Sequence, residues 1–178
     1  MTPAGDIVFD LSAPEIIEGK ISLRTSRSSH GRQVDLIYSI NDQEHVEHSF
    51  VSWAYSLSSR SLVPTAEAIR WKNLLLLFGR RSCLVFDREA GRLVDTIALH
   101  RREADDRGFY SIEFQYFDDL LVVVYESGIF AIASTGTIWH QQKMWDDLVA
   151  FIDAVRIVVT TGDEGHYALD TGTGRKHQ

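Results

Sequence analysis

The sequence predicts an all-β fold built from antiparallel meanders, and three features of the chain support that prediction. First, apolar runs of about five to eight residues, such as Leu74–Phe78, stop at glycine, asparagine or aspartate, as β-strands do. Second, segments such as residues 111–116 alternate apolar and polar side chains, which gives a strand two different faces. Third, one strand pattern recurs three times after residue 64. Helix signals are weak, and the best two candidates, residues 13–18 and 64–70, are both short.

The first 60 residues are expected to form a β-sheet segment that packs on the rest of the chain. Apolar-rich stretches predict four strands there, at residues 6–11, 20–25, 33–40 and 44–50. The last two would form a hairpin across Asn41-Asp42-Gln43, because these residue types favour a turn. A polar stretch at residues 56–61 then reads as a linker, and residues 101–108 read as an exposed loop.

Three copies of one strand pattern fill the remainder of the chain. Each copy has two apolar strands, a turn with glycine and a further strand, and one more strand can be read before each copy. The copies cover about residues 66–102, 110–142 and 148–176. Phe86, Ile132 and Leu169 take equivalent places, with spacings of 46 (132 − 86) and 37 (169 − 132). Each copy is therefore a four-stranded meander of about 40 residues, the size of a propeller blade, and we expect one compact domain overall.

Two of the copies carry a turn signature with a known counterpart. Residues 167–175 read Tyr-Ala-Leu-Asp-Thr-Gly-Thr-Gly-Arg, and residues 130–139 read Phe-Ala-Ile-Ala-Ser-Thr-Gly-Thr-Ile-Trp. These segments resemble the repeats of quinoprotein-type (PQQ-like or WD40-like) β-propellers, which pair an aliphatic-Asp strand end with a Thr-Gly-Lys/Arg turn and a later tryptophan. Only Trp139 supplies that tryptophan, and three copies fall short of the four to eight blades of a closed ring. The resemblance covers residues 66–176 and implies an incomplete or small propeller-like fold, without implying any chemistry.

Composition and charge limit the classes of protein to which this chain can belong. Apolar residues make up 44% and charged residues 24% of the chain, which fits a globular protein. The formal net charge of -7, with basic residues scattered along the chain, argues against nucleic-acid binding, which needs a basic face to replace phosphate counterions. No apolar run reaches the roughly 20 residues of a membrane span, and the start of the chain lacks a signal-peptide pattern. We therefore expect a cytoplasmic protein.

Local signatures of catalysis, cofactor binding and metal binding are missing from the sequence. Phosphate-binding loops, dinucleotide fingerprints, the HExxH zinc motif and the GxSxG elbow do not occur. The single cysteine, Cys83, lies in an apolar run and is expected to be a small buried hydrophobic residue. His45 and His48 are three residues apart, so on one strand they would face opposite sides and form a poor metal site. We expect a protein without enzymatic activity, cofactor or metal.

Pairs of acidic residues are the most distinctive surface feature of the sequence. They fall in predicted turns and junctions, and we group them with Trp145, an aromatic residue in a predicted connection, as candidate partner-binding residues. The set consists of Asp118, Asp119, Trp145, Asp146, Asp147, Asp163 and Glu164. One interpretation is an acidic face that attracts a basic protein. The other is turn chemistry, since aspartate side chains bind nearby backbone N–H groups. Trp139, on a strand, is expected to pack in the core.

A non-catalytic protein-binding module is the function that these observations favour. A specific form is a bacterial inhibitor or immunity-type protein that uses its acidic face against a basic partner. Two alternatives stay open. One is an enzyme or small-molecule binder with a site between sheets, using His140, Asp146 or His166. The other is a structural protein whose copies associate through exposed strand edges to complete a β-ring.

Overall fold

The computed structural model describes residues 5–27, 33–56, 60–100, 112–125, 127–142, 149–161 and 165–177, with side chains except at residues 5–10, 52–56 and 149. Sixteen β-strands and no helix occur in these ranges, which confirms the all-β prediction. Accordingly, the described residues include no helix that could span a membrane. The chain divides into two compact units, which are Met1–Ala98 with Arg107–Phe109 (unit 1) and Leu99–Asp106 with Tyr110–Gln178 (unit 2).

Unit 1 has nine strands in its described part, each antiparallel to its neighbours. They are β1 (Gly5–Asp10), β2 (Ile16–Glu18), β3 (Ile21–Arg27), β4 (Val34–Ile40), β5 (Gln43–Ser56), β6 (Ser61–Trp71), β7 (Leu74–Phe78), β8 (Ser82–Asp87) and β9 (Arg92–Ala98). Strands β2 to β9 pair in chain order, and β1 pairs with β6. We call β2–β5 the N-terminal sheet and β6–β9 the first meander. The domain boundary placed at residue 60 falls within unit 1 and stays a prediction.

Unit 2 has seven strands in its described part, arranged as two sheets. They are β10 (Glu113–Tyr116), β11 (Leu121–Tyr125), β12 (Gly128–Ala133), β13 (Gly136–Gln142), β14 (Val149–Ile152), β15 (Arg156–Thr161) and β16 (Gly165–Asp170). Strands β10–β13 form the second meander, and β14–β16 form the third meander; both pair antiparallel in chain order. The antiparallel, blade-like meanders predicted from the repeat are therefore present.

The hairpin predicted at Asn41-Asp42 is present in the N-terminal sheet. Both residues have positive φ angles, 51° and 62°, as the two-residue type I′ turn requires. After this turn, the long strand β5 pairs with β4 up to residue 51 and with β6 from residue 52. The pairing with β4 is irregular beside Asp35, whose carboxylate accepts the backbone N–H of Ser49 (2.8 Å). This hydrogen bond holds the irregular stretch, and it lowers the pKa of Asp35.

The first and second meanders share a β-bulge at the same position of the repeat. In the first meander the register shifts just before Phe86, which leaves Val94 as the extra residue of β9. In the second meander the shift comes just before Ile132, and Ile138 is the extra residue of β13. The shared bulge supports the equivalence of Phe86 and Ile132 that the sequence spacing predicts.

The two helix candidates are wrong. Residues 64–70 and 16–18, both in the helix candidates, belong to strands β6 and β2, because burial in a sheet overrides weak helix propensity. The alternative strand read at residues 66–71, before the first copy, is confirmed as part of β6. The predicted turn of the third copy is present at residues 171–173, where the N–H of Gly174 donates to the C=O of Asp170 (2.8 Å), and one β-bridge between Leu169 and Lys176 follows it.

Each unit has its own hydrophobic core. In unit 1 the N-terminal sheet packs on the first meander through a cluster that includes Ile21, Leu23, Leu36, Tyr38, Leu75, Leu77, Leu84 and Phe86. In unit 2 the second and third meanders pack together through Val122, Val124, Ile129, Ala131, Trp139, Ile157, Val159 and Leu169. Strands β7 and β11 are buried at every residue, as predicted for strands covered on both faces.

A buried ion cluster adds to the packing of unit 1. The carboxylate of Glu18, at the end of β2, is only 7% exposed and pairs with Arg70 of β6 and with Arg88, which follows β8. The Nε of Arg70 donates to Glu18 (3.1 Å), and a guanidinium nitrogen of Arg88 lies 3.6 Å from it. Removing Glu18 would leave two partly buried guanidinium groups without this carboxylate, which is destabilising.

Candidate functional site

The third meander has one covered face and one open face. Residues paired across an antiparallel sheet point to the same side, so the register assigns each side chain to a face. Ile157 and Leu169 pair with each other on the covered face, inside the core of unit 2. The next row, Phe151, Val158 and Ala168, lies on the opposite side, and Phe151 is 72% exposed. We call this side of the sheet the open face.

Polar pairs lie on both sides of the apolar row. Thr160 and His166 pair across β15 and β16 on one side, and Oγ1 of the threonine lies 2.8 Å from Nδ1 of the histidine. Arg156 pairs with Asp170 on the other side. The open face is therefore an apolar strip between polar groups, which is the usual anatomy of a protein–protein interface.

Two turns capped by aspartate hold the strands of the open face. The Oδ1 atom of Asp153 accepts the N–H groups of Val155 (2.8 Å) and Arg156 (2.7 Å) between β14 and β15. Oδ1 of Asp170 accepts the hydroxyl (2.7 Å) and the N–H (2.8 Å) of Thr173 after β16. These hydrogen bonds lower the pKa of both aspartates, so both carboxylates stay ionised at neutral pH. Val155, in the first turn, adds an apolar side chain that is 69% exposed.

Trp139 fixes the third meander against the second. The indole Nε1 donates to the C=O of Thr171 (2.9 Å), and the ring packs on Gly174, where an added Cβ would lie 2.5 Å from an indole carbon. Gln141, two residues further along β13, donates to the C=O of Gly174 (2.8 Å). The prediction that Trp139 packs in the core is confirmed, and these contacts hold the sheet that carries the open face.

The negative charge of the chain resides in unit 2. This unit contains 13 acidic and 6 basic residues, a formal charge of -7 (6 − 13). Unit 1 contains 12 acidic and 12 basic residues and is formally neutral. The unit with the open face is therefore also the unit that carries the net negative charge of the chain.

The predicted partner-binding residues are described only in part. Asp118 and Asp119 are exposed between β10 and β11, where the N–H of Phe117 donates to the C=O of Leu120 (2.7 Å) and closes a turn. This position fits both an acidic surface and the turn chemistry considered from the sequence. The other members of the set lie outside the described residues and stay predictions; they are Trp145, Asp146, Asp147, Asp163 and Glu164.

The histidines proposed for a site between sheets are not brought together. The Tyr125 hydroxyl is hydrogen-bonded to Nε2 of His140 (2.8 Å), and the Phe130 ring meets the imidazole edge-on, with centroids 5.9 Å apart. Burial raises the pKa of Tyr125 to about 12 and lowers the pKa of His140. His140 follows Trp139 on β13, so it points away from the core of unit 2, whereas His166 lies on the open face.

The two histidines considered as metal ligands and the single cysteine have structural contacts instead. His45 stacks on Tyr38 with ring centroids 5.0 Å apart, and Nδ1 of His48 lies 3.2 Å from the Asp35 carboxylate. Among the described residues, no group of three or more His, Cys, Asp or Glu side chains could hold a metal ion. Cys83 is fully buried, as predicted, and burial raises the pKa of its thiol well above the ordinary value.

Sequence reasoning missed Phe151 as a surface residue. It lies in the apolar run Val149–Ile152, which is the pattern of a strand covered on both faces. Nothing in that run distinguishes it from Leu121–Tyr125, whose residues are all buried.

Comparisons with known proteins identify no family for this chain. No family model matches it, and no curated protein matches it. The WD40 domain of SCAP from fission yeast, a crystal structure, is similar to 97% of this chain at 12% identity and a TM-score of 0.35. The match covers 46% of that domain, so this chain spans about half its length.

Proposed function

We propose that this protein binds a basic protein through the open face of unit 2. The observation that carries the proposal is the exposure of Phe151, 72%, at one end of the apolar row that continues through Val158 and Ala168. Covering this row removes apolar area from water, which is the main driving force of association. The charge of -7 in the same unit speeds encounter with a positively charged partner and disfavours others.

The face of the N-terminal sheet that points away from the core of unit 1 carries charged groups as well as apolar ones. Exposed Ile17 and Val46 lie on it, but the Arg24–Glu44 ion pair (2.5 Å) lies on the same face, between strands β3 and β5. Charged and polar groups keep such a face solvated. The contrast supports the third meander, rather than the N-terminal sheet, as the binding surface.

Electrostatics favours a basic partner over a second copy of the chain. Two copies that met through unit 2 would bring two charges of -7 together, which opposes association. We therefore propose a protein that stays monomeric at neutral pH and low salt until it meets its partner. Sedimentation of the purified protein over a range of concentrations tests this part of the proposal, and a stable dimer at low salt would contradict it.

An inhibitor or immunity-type role is the finer form of the proposal. In that role the acidic unit would cover the basic surface of a toxin, and electrostatic attraction would give the fast association that inhibition needs. The proposal includes no catalytic step, no nucleic-acid partner and no membrane, and it places the protein in the cytoplasm.

Affinity capture from the source cell tests the proposed function, provided that matched variants are compared. The wild-type protein should retain a basic protein at low salt, and Phe151→Ser and the double variant Asp118→Lys/Asp119→Lys should lose it. The control Glu15→Lys/Glu89→Lys makes the same charge change at exposed positions of unit 1 and should retain the partner. The proposal fails when the wild-type protein retains no basic protein, or when all variants retain it equally.

A further inference from the structure

The edge strands of the described sheets differ in their protection against pairing with another chain. An edge strand presents unpaired N–H and C=O groups, and proteins protect such edges with charges, bulges or short length. β9 carries Arg92, Asp95 and a bulge, and β13 carries the bulge at Ile138. β10 carries Glu113, and β2 has three residues. Each of these four edges has at least one protective feature.

β14 is a short strand of four residues, but it carries neither a charge nor a bulge. Its residues, Val149–Ile152, include no charge and no proline, its register with β15 is regular, and in the described part of the chain it pairs with β15 alone. Ala150 and Ile152 pack against the core of unit 2, and Phe151 lies on the open face. A strand that is apolar on both faces and that pairs on one side only, among the described strands, is suited to receive a further strand.

The hydrogen-bond pattern of the β14–β15 hairpin identifies the backbone groups along this edge. At its closed end, the N–H of Asp153 donates to the C=O of Arg156 (3.0 Å). Bonded and non-bonded residue pairs alternate along an antiparallel ladder, so Phe151 bonds to β15, and Ala150 and Ile152 do not. The N–H and C=O groups of Ala150 and Ile152 therefore point away from β15, toward the open edge.

We propose that the partner binds by adding an extended strand to β14, hydrogen-bonded to the backbone of Ala150 and Ile152. This inference rests on the proposed function, because the basic protein is taken to supply the strand. Alternate side chains of the added strand lie on the open face beside Phe151, where apolar residues fit. Lysine or arginine at the positions between and around them meets the negative field of unit 2. The partner segment is therefore extended, with alternating apolar and basic residues.

A capped peptide of alternating lysine and valine is the probe for the first test. Residue-resolved amide hydrogen exchange by NMR, with and without the peptide, reports which backbone groups it covers. Strand addition predicts slower exchange at Ala150 and Ile152, with little change at Phe151, which already bonds to β15. Unchanged exchange at Ala150 and Ile152 under saturating peptide would overturn the proposal.

Ala150→Pro removes one outward-pointing N–H and leaves the β14–β15 ladder intact, because proline is tolerated at an edge position whose N–H faces outward. We expect the peptide Kd, measured by calorimetry, to rise about tenfold or more from loss of the hydrogen bond and the bulk of the ring. Thr96→Pro is the matched control on edge strand β9, where the Thr96 N–H donates to the neighbouring Asp95 carboxylate (2.8 Å). This control should leave the Kd unchanged.

A peptide of the same sequence that is N-methylated at every lysine and valine covers the case in which Ala150→Pro does not fold. It keeps the charge and the side chains but cannot complete the ladder, so it should not bind the wild-type protein. Binding equal to that of the unmodified peptide would refute strand addition. Retention of the cellular partner by Ala150→Pro, with loss by Phe151→Ser, would refute strand addition and leave the proposed function standing. Retention by both variants and by Asp118→Lys/Asp119→Lys would refute the proposed function as well.

Discussion

Replacing Phe151 with alanine tests whether the open face is open in the free protein. Full burial of a phenylalanine side chain stabilises a protein by about 1.5–3 kcal/mol. Phe151 is 72% exposed, so the substitution removes only the remaining 28% (100 − 72) of that stabilisation, which is less than about 1 kcal/mol. The lower β-propensity of alanine adds up to about 1 kcal/mol. We therefore expect Phe151→Ala to lower the free energy of unfolding by about 1 kcal/mol, and by no more than about 2 kcal/mol.

Phe130→Ala is the matched comparison in the same unit. Phe130 is fully buried on β12, so its removal leaves a cavity and should cost about 3–5 kcal/mol. Urea unfolding followed by tryptophan fluorescence measures both free energies. A loss for Phe151→Ala as large as that for Phe130→Ala would mean that the Phe151 ring is buried within the chain. That result would refute the open face and remove the basis of the proposed function.

Two further predictions concern the packing and the titration of unit 2. Gly174 has a φ of 67°, and the Cβ of Gly174→Ala would lie 2.5 Å from the Trp139 indole, so this variant should lose about 2–5 kcal/mol of stability. Gly165 has a φ of 78° and no atom within 4 Å of the added Cβ. Gly165→Ala should therefore lose only the backbone strain of about 1–2 kcal/mol. Equal losses in urea unfolding would contradict the indole contact. Burial lowers the pKa of His140 from 6.5, so the folded state binds this proton more weakly than the unfolded state, and stability falls as the pH drops below about 6.5. Between about pH 7 and pH 5, the free energy of unfolding should therefore fall more for the wild-type protein than for His140→Gln. An equal fall in both proteins would refute the lowered pKa of His140.

Features that depend on local chain chemistry were predictable from the sequence. Apolar runs such as Leu74–Phe78 are strands because alternate side chains on an extended backbone meet sheets on both sides. Asn41-Asp42 forms a hairpin turn because these residues tolerate positive φ angles. Burial of Cys83 followed from its apolar neighbours. In each case the deciding interactions lie within a few residues of the pattern.

Features that depend on distant parts of the chain were not predictable in this way. Two interpretations of this segment were open from the sequence, a short helix at residues 64–70 and a strand at residues 66–71, and pairing with both β1 and β7 decides for the strand. The Trp139 ring of β13 occupies the space beside Gly174, in the turn region after β16. These contacts join residues from different strands, which the linear spacing of a repeat does not specify.

The sequence by itself determined the strands, the order of the meanders and the total charge, since each follows from residue type and period along the chain. Only the tertiary structure decided which face of each sheet is covered. The run Val149–Ile152 is as apolar as Leu121–Tyr125, yet Phe151 is exposed and every residue of the second run is buried. The physical reason is that covering a face requires another sheet from elsewhere in the chain. The fold also decided that the charge of -7 belongs to unit 2, because a unit is defined by contacts and not by position in the sequence.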